Sequence, residues 1–503
     1  MLEYLGPSAA LFFSISNFFF ISIGLLVGIF IGAVPGLNVP MTIALFLPVT
    51  YSMSPLAGIM LLIGIYKGGT YGGSISAILI NAPGVPAAAA TVLDGYPMAK
   101  QGKAGKALKM SLFASVFGEV ISDLVLFSIA PTIAIFSLRF GPIERFSLVL
   151  FAFTVIGLVS GDTPIKGLIA GLFGVFFASV GLDDLSAASR YTFDIAILDG
   201  GIPFLPFVIG LFAISEAFIQ IEKKAAPGGD GALVKISKRK EDNSVSFKEF
   251  KSCLKTLFRS SAIGTGIGAL PGTGAAISAF VSYGMAKASS KHPEEFGKGS
   301  LEGIAAAECG NNSVTGATLI PLLTLGIPGD AITAILLGAF LVHGMTPGPD
   351  LFTNQGVMTY AIFIGMFFTN LLHLFIGYFG LPIFIRGIRI SKSILFPVVT
   401  VFCFVGAYAN KSSMFDFFMT IIFGILGYTM RKFSYPLAPM LLGFILGPML
   451  EKYFRQALVI SERDYTVFFR QPISLFFMIV TILFATWTII KMVRTRRLNN
   501  NSK

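Results

Sequence analysis

The feature that most constrains this chain is a succession of long apolar stretches separated by short polar or basic loops. In the first half they include Ala9 to Val34, Met41 to Ile65, Ser111 to Leu138 and Ile202 to Ile221. In the second half they include Ala262 to Met285, Ala317 to Val342, Val357 to Ile385 and Pro472 to Ile490. Many reach the ~20 residues that cross a hydrocarbon core, and shorter ones fit broken or re-entrant segments. Only 13% of the 503 residues are charged, against roughly 25% in a soluble domain, so lipid is the main solvent. The expected fold is an all-α polytopic membrane protein of about twelve transmembrane helices.

A net charge of +11 would point a soluble protein toward nucleic acid. Here the basic residues gather in loops instead: Lys100 to Lys109, the segment 222–259, Arg386 to Lys392, Arg431 with Lys432, and the tail 491–503. The positive-inside bias assigns these loops to the cytoplasm and the N-terminus, with only Glu3, to the outside. Membrane lipid, not nucleic acid, is the expected surrounding. The organisation that follows is a first transmembrane repeat at 1–221, a charged cytoplasmic linker at 222–259, a second repeat at 260–470, and a C-terminal helix with a basic tail at 471–503. Cys253, Cys309 and Cys403 and the histidines 292, 343 and 373 lack disulfide or metal-ligand spacing.

The halves share a framework. Gly32-Ala33-Val34-Pro35-Gly36 is answered by Gly268-Ala269-Leu270-Pro271-Gly272, and Ala82-Pro83-Gly84 by Ile327-Pro328-Gly329. A run of small and polar residues precedes each later pair, Gly68 to Ser74 in one half and Gly310 to Gly316 in the other. Proline removes a backbone donor and glycine admits conformations closed to other residues, so such pairs end or break helices. Paired breaks at membrane depth point to a binding site at the interface of an internal repeat, here expected to be inverted.

Broken helices aim N–H groups and the positive end of their dipole at an anion. The expected substrate site is therefore Pro35, Gly36, Asn38, Gly73, Ser74, Pro83 and Gly84 with Pro271, Gly272, Thr273, Gly274, Pro328 and Gly329. On this reading an organic acid is held without a buried arginine. The same breaks expose carbonyl oxygens suited to a small cation. Thr70, Ser76 and Asn81, with Asn311, Asn312, Ser313 and Thr315, supply further oxygens of the kind a small cation such as Na⁺ prefers.

Charged residues within the apolar runs are few. Glu119 and Asp123 share one helical face. They offer a proton or cation site, the acid–base pair of an intramembrane enzyme, or partners for a basic residue on a neighbouring helix. Lys67 either meets a substrate carboxylate or snorkels to the interface. Glu302 and Glu308 precede the asparagine pair, Asp330 is placed to cap the helix after Pro328-Gly329, and His343 and His373 read as packing residues. The enzyme reading lacks an HExxH or GxSxG motif, and no GxxxxGK[ST] loop supports ATP coupling.

Several stretches resemble a known family: GAVPG at Gly32 to Gly36, the segments Tyr66 to Leu108 and Gly266 to Lys287, and the segment Phe296 to Ala339. The chain is similar over most of its length to the large membrane subunit of the tripartite tricarboxylate transporters. Beyond Phe352 the likeness rests on hydropathy, and Cys309-Gly310 stands where small residues such as alanine are expected. The resemblance implies a secondary carrier of the bacterial inner membrane that imports a small di- or tricarboxylate, coupled to a cation gradient, Na⁺ before H⁺. It further implies a small membrane subunit of about four spans and a periplasmic binding protein that delivers the substrate. No organic cofactor is expected, and a passive anion channel is the transport alternative.

Overall fold

The structure, a computed structural model, describes residues 2–159, 164–183, 185–222, 234, 237, 239–387 and 392–501. Among these residues the regular structure is helical apart from one antiparallel ribbon, Gly181–Leu182 paired with Ser189–Arg190. Seven helical stretches are long and apolar enough to cross a membrane: Ile15–Ala33, Pro86–Ser137, Phe204–Glu222, Gly356–Gly387, Met414–Lys432, Leu437–Ile460 and Pro472–Ile490. Shorter apolar helices such as Val39–Thr50 and Ala331–Val342 accompany them. The chain is an all-α, multi-pass membrane protein.

Two apolar runs expected to be continuous are divided. The first breaks after Phe12, where Ser14 caps Ile15–Ala33 by accepting the Asn17 N–H. The second breaks at 51–54, where Pro55 opens the Pro55–Ile80 helix at a position that needs no backbone donor.

Two helices lie inside the protein, Pro55–Ile80 and Leu301–Ala317. Every residue from Leu56 to Leu79 and from Gly303 to Ala317 is buried. Neither is among the seven stretches: Leu301–Ala317 has only 17 residues, and the glycines, hydroxyls and Lys67 of Pro55–Ile80 lower its apolar character. Gly24, Gly28 and Gly32 of Ile15–Ala33 lie against the carbonyls of Leu61, Ile65 and Gly69, and a Cβ on Gly28 would stand 2.5 Å from the Ile65 oxygen. This is small-residue packing that lets two backbones touch without hydrophobic drive.

The second half repeats the partnership. Gly264 of Leu254–Gly268 approaches the Gly310 carbonyl, with 2.6 Å left for a Cβ, and Gly268 approaches Ala317. In each half, then, a helix that ends at one Pro-Gly break packs on a central helix that leads to the other.

Asp94 ties the halves together. Its Oδ1 accepts the N–H groups of Gly297, Gly299 and Ser300 at 2.8–2.9 Å, and its Oδ2 accepts the Tyr283 hydroxyl at 2.9 Å. The Asp-Gly-Tyr-Pro continuation of the first half thus fixes where the central helix of the second half begins. Much of the expected linker, 223–233, 235, 236 and 238, lies outside the described residues. Its far end is not a bare connector: Phe247–Ser252 is helical with a Ser246–Glu249 capping box, Glu249 pairs with Lys106 at 2.6 Å, and Leu254–Gly268 starts before the expected boundary at 260. The capping box is the local reason a charged segment folds there.

Candidate functional site

Each Pro-Gly pair interrupts the chain as its chemistry requires. Gly36 and Gly272 take φ of 101° and 85°, a region that a side chain disfavours. The backbone groups released are matched across breaks. Gly272 N–H donates to the Gly329 carbonyl at 2.7 Å, so the two breaks of the second half hold each other. In the first half Gly84 N–H donates to the Gly73 carbonyl at 3.2 Å, and Gly84 lies so close to the Gly32 carbonyl that no Cβ fits.

The chain re-enters a helix after each of these breaks, through the short turn Pro86–Ala88 after Pro83-Gly84 and directly into longer α-helices after the other three. Asn38 caps Val39–Thr50 by accepting the Met41 N–H at 2.9 Å. Asp330 caps Ala331–Val342 through the Thr333 N–H at 2.8 Å, the role its position predicts. Thr273 precedes Gly274–Ser289 and makes no side-chain cap, so the first N–H groups of that helix keep their donor capacity.

Residues that follow all four breaks line one cavity of about 550 Å³, a size suited to a small organic molecule. They are Asn38 to Pro40, Val85 to Ala87, Gly272 to Ile277, and Asp330 to Ile332. Tyr66 and Thr70 of one central helix and Asn311 of the other add polar groups. The Tyr66 hydroxyl lies 3.2 Å from Thr318 Oγ1 and 3.3 Å from Asp330 Oδ2, and Asn311 Oδ1 is buried without a partner. Three helix N-termini and an unpaired amide oxygen therefore surround one space.

Arg431 also lines the cavity, against the expectation that no arginine takes part. Its guanidinium donates to Glu216, whose other oxygen accepts Gln220 Nε2 at 2.7 Å. Arg431 looked like a topology marker because it ends an apolar run beside Lys432. The usable signal was Glu216, an acid inside the Ile202 to Ile221 run, since such an acid calls for a partner at membrane depth.

Of the expected site residues, Asn38, Gly272, Thr273, Gly274, Thr70 and Asn311 line the cavity. Pro35, Gly36, Gly73, Ser74, Pro83, Gly84, Pro271, Pro328 and Gly329 are not among its lining residues. The other residues expected to bind the ion are not gathered in one place. Ser76 Oγ, Ser313 Oγ and Thr315 Oγ1 donate to backbone carbonyls of Gly73, Cys309 and Asn312. Asn81 is the exposed left-handed cap of Pro55–Ile80. Ser74 pairs with Ser111 at 2.6 Å, and Asn312 turns to Ser115 at 2.8 Å.

Lys67 neither reaches the cavity nor snorkels. It is buried in an ion pair with Asp123 at 2.5 Å, and Asn370 bridges both partners. Glu119 accepts from His373 at 3.1 Å, so His373 is half of a buried acid–base pair and not mere packing. Glu302 is bound by Thr256 and Ser290, and His343 by Thr50.

Comparison with known proteins places the sequence in a family. Residues 18–442 match the tripartite tricarboxylate transporter TctA family, a match that takes in both halves, all four breaks and Arg431. Two Agrobacterium vitis proteins are similar. An uncharacterized 52.8 kDa protein in the TAR-I ttuC' 3'region is 35% identical over 476 residues, 94% of this chain and 93% of the relative. An uncharacterized protein in the TAR-II ttuC' 3'region is 40% identical over 211 residues, 42% of this chain and 87% of the relative. No solved structure matches. The chain belongs to the tripartite tricarboxylate transporter TctA family, a family of transporters and not of enzymes.

Proposed function

We propose that this chain is the carrier subunit that moves a small di- or tricarboxylate inward across a bacterial inner membrane, driven by a cation gradient, with Na⁺ favoured over H⁺. A periplasmic binding protein delivers the substrate, and a small membrane subunit of about four spans completes the complex. The observation that carries this reading is the convergence of three helix N-termini and Arg431 on one cavity.

The chemistry suits a small anion, and a carboxylate among anions fits the family. Helix N-termini and uncapped N–H groups bind anions without a counter-charge of their own, and a guanidinium adds a planar fork matched to a carboxylate. Arg431 already holds one carboxylate, that of Glu216. A substrate that takes over one guanidinium edge leaves the pair intact or weakens it, which gives the site a way to register occupancy. Transport follows if the two repeats rock about the cavity, opening it to one side at a time.

The test is uptake into vesicles carrying this chain, its small subunit and the receptor, across a panel of mono-, di- and tricarboxylates, with and without a Na⁺ gradient. Accumulation of a di- or tricarboxylate that collapses when the gradient is dissipated supports the reading. Flux that follows the substrate gradient alone makes the protein a channel. Arg431→Gln should raise KM for the carboxylate in the protein that folds.

A further inference from the structure

One buried carboxylate is not accounted for by the cavity. Glu308, on the Leu301–Ala317 helix, is fully buried. Its Oε1 accepts the Thr91 hydroxyl, and its Oε2 accepts Ser115 Oγ at 3.2 Å and Asn312 Nδ2 at 3.4 Å. All of these donors are neutral. Among the described residues no lysine, arginine or histidine pairs with Glu308, whereas Asp123 has Lys67 and Glu119 has His373. A lone carboxylate in such surroundings is costly unless a positive charge joins it.

The neighbouring Asn312 helps to hold this carboxylate. Asn312 spends its Nδ2 on Ser115 Oγ, the Glu308 carbonyl and the Glu308 carboxylate, and its Oδ1 is buried with no partner. The hydroxyls of Thr91 and Ser115 can rotate to present lone pairs in place of their protons. Two carboxylate oxygens and two hydroxyls then form a hard, all-oxygen nest with a single negative charge, held in place by the Asn312 amide N–H groups. That set suits one monovalent metal cation; no group of three or more acidic, histidine or cysteine side chains, as a multivalent ion favours, occurs among the described residues.

We propose that Glu308, with Thr91 and Ser115 and positioned by Asn312, binds the coupling cation as a monovalent metal ion. The proposal rests on the carrier reading above and gives it an ion site. The nest adjoins the substrate cavity through consecutive residues: Asn311 lines the cavity while Asn312 lies in the nest. Thr91 belongs to the helix that follows the Pro83-Gly84 break, so an ion in the nest ties that break to the opposite central helix. Cation and anion then favour the same arrangement of the helices between them, and each raises the affinity for the other by the same factor.

The test is equilibrium binding of ²²Na⁺ to the purified full-length chain at alkaline pH, with no gradient, receptor or substrate. The wild-type protein should bind saturably, and Glu308→Gln should weaken binding by about a hundredfold. Should Glu308→Gln fail to give monodisperse protein, Thr91→Val and Ser115→Ala each remove one ligand oxygen, and each should weaken binding severalfold. Wild-type binding that all three variants retain would place the ion elsewhere and overturn the assignment, while leaving the carrier reading intact. Absence of saturable ²²Na⁺ binding in the wild type also overturns it and leaves Glu308 to hold a proton. The vesicle experiment fails independently: wild-type uptake indifferent to every cation gradient would sink the carrier reading whatever the binding assay returns.

Discussion

The Lys67–Asp123 pair and Glu308 lie in the same helical core and are equally removed from solvent, yet their charges are handled in opposite ways. Asp123 has a lysine at 2.5 Å, and Asn370 donates to Asp123 while accepting from Lys67. The group is neutral overall and joins three helices, Pro55–Ile80, Ala104–Ser137 and Gly356–Gly387. Glu308 has only hydroxyls and amides around it. A compensated charge is a lock, costly to half-remove and replaceable as a unit. An uncompensated one is, on the proposal above, a place for a cation.

The sharpest way to break this comparison is to strip Asp123 of its partner. Lys67→Met leaves a buried carboxylate unpaired and should cost about 3–5 kcal/mol, seen as lost monodisperse yield and a lowered melting temperature in detergent. Pairing it with Asp123→Leu should recover most of that loss, because the unit is then apolar. A single variant as stable as the double would mean that the pair carries no structural weight.

Glu308→Gln should show the reverse pattern. It keeps the shape and most hydrogen bonds while removing a lone buried charge, so stability should stay within about 1 kcal/mol of wild type. Cation-driven uptake should fall by about a hundredfold. Destabilisation like that of Lys67→Met with uptake preserved in the surviving protein would erase the distinction between the two sites.

Glu119 and His373 form an intermediate case, since the histidine supplies a hydrogen bond whether or not it carries charge. His373→Phe removes that partner and leaves Glu119 short of one bond, an effect of about 2 kcal/mol on stability. A melting temperature unchanged by the substitution would show that the pair belongs with Glu308, as a group whose partner is not structural.

Why one of these sites was readable in the sequence and the other was not is a matter of distance along the chain. The Pro-Gly breaks are local signals: proline and glycine act on their own backbone, so Gly36, Gly272 and the cap at Asp330 could be placed from neighbouring residues alone. The repeat made their convergence legible, and Asn38, Thr273 and Asn311 do meet at one cavity. Partnerships between distant residues left no such trace. Lys67 and Asp123 are 56 positions apart, Arg431 and Glu216 215. Periodicity placed Glu119 and Asp123 on one helical face but could not say that a lysine and a histidine from two other helices meet them there. What the hydroxyls of the expected ion site do was likewise hidden: Ser313 and Thr315 donate to carbonyls of their own helix, a use that composition cannot reveal.

The smallest effect is expected where two ion pairs connect the same two helices, Phe204–Glu222 and Met414–Lys432. Lys432 pairs with Glu222 at 2.7 Å, with both side chains about half exposed, while its neighbour Arg431 pairs with the buried Glu216 and borders the cavity. An exposed pair gains little because water and salt screen it and two flexible side chains must be held still. Lys432→Ala should therefore leave both the melting temperature and uptake where they are. Arg431→Ala, one residue away, should leave the cavity without its guanidinium and Glu216 without its partner, raising KM for the carboxylate. Equal effects from the two substitutions would show that Arg431 acts as a fastener between helices and not as part of the binding site, so the anion would have to be held by the helix N-termini alone.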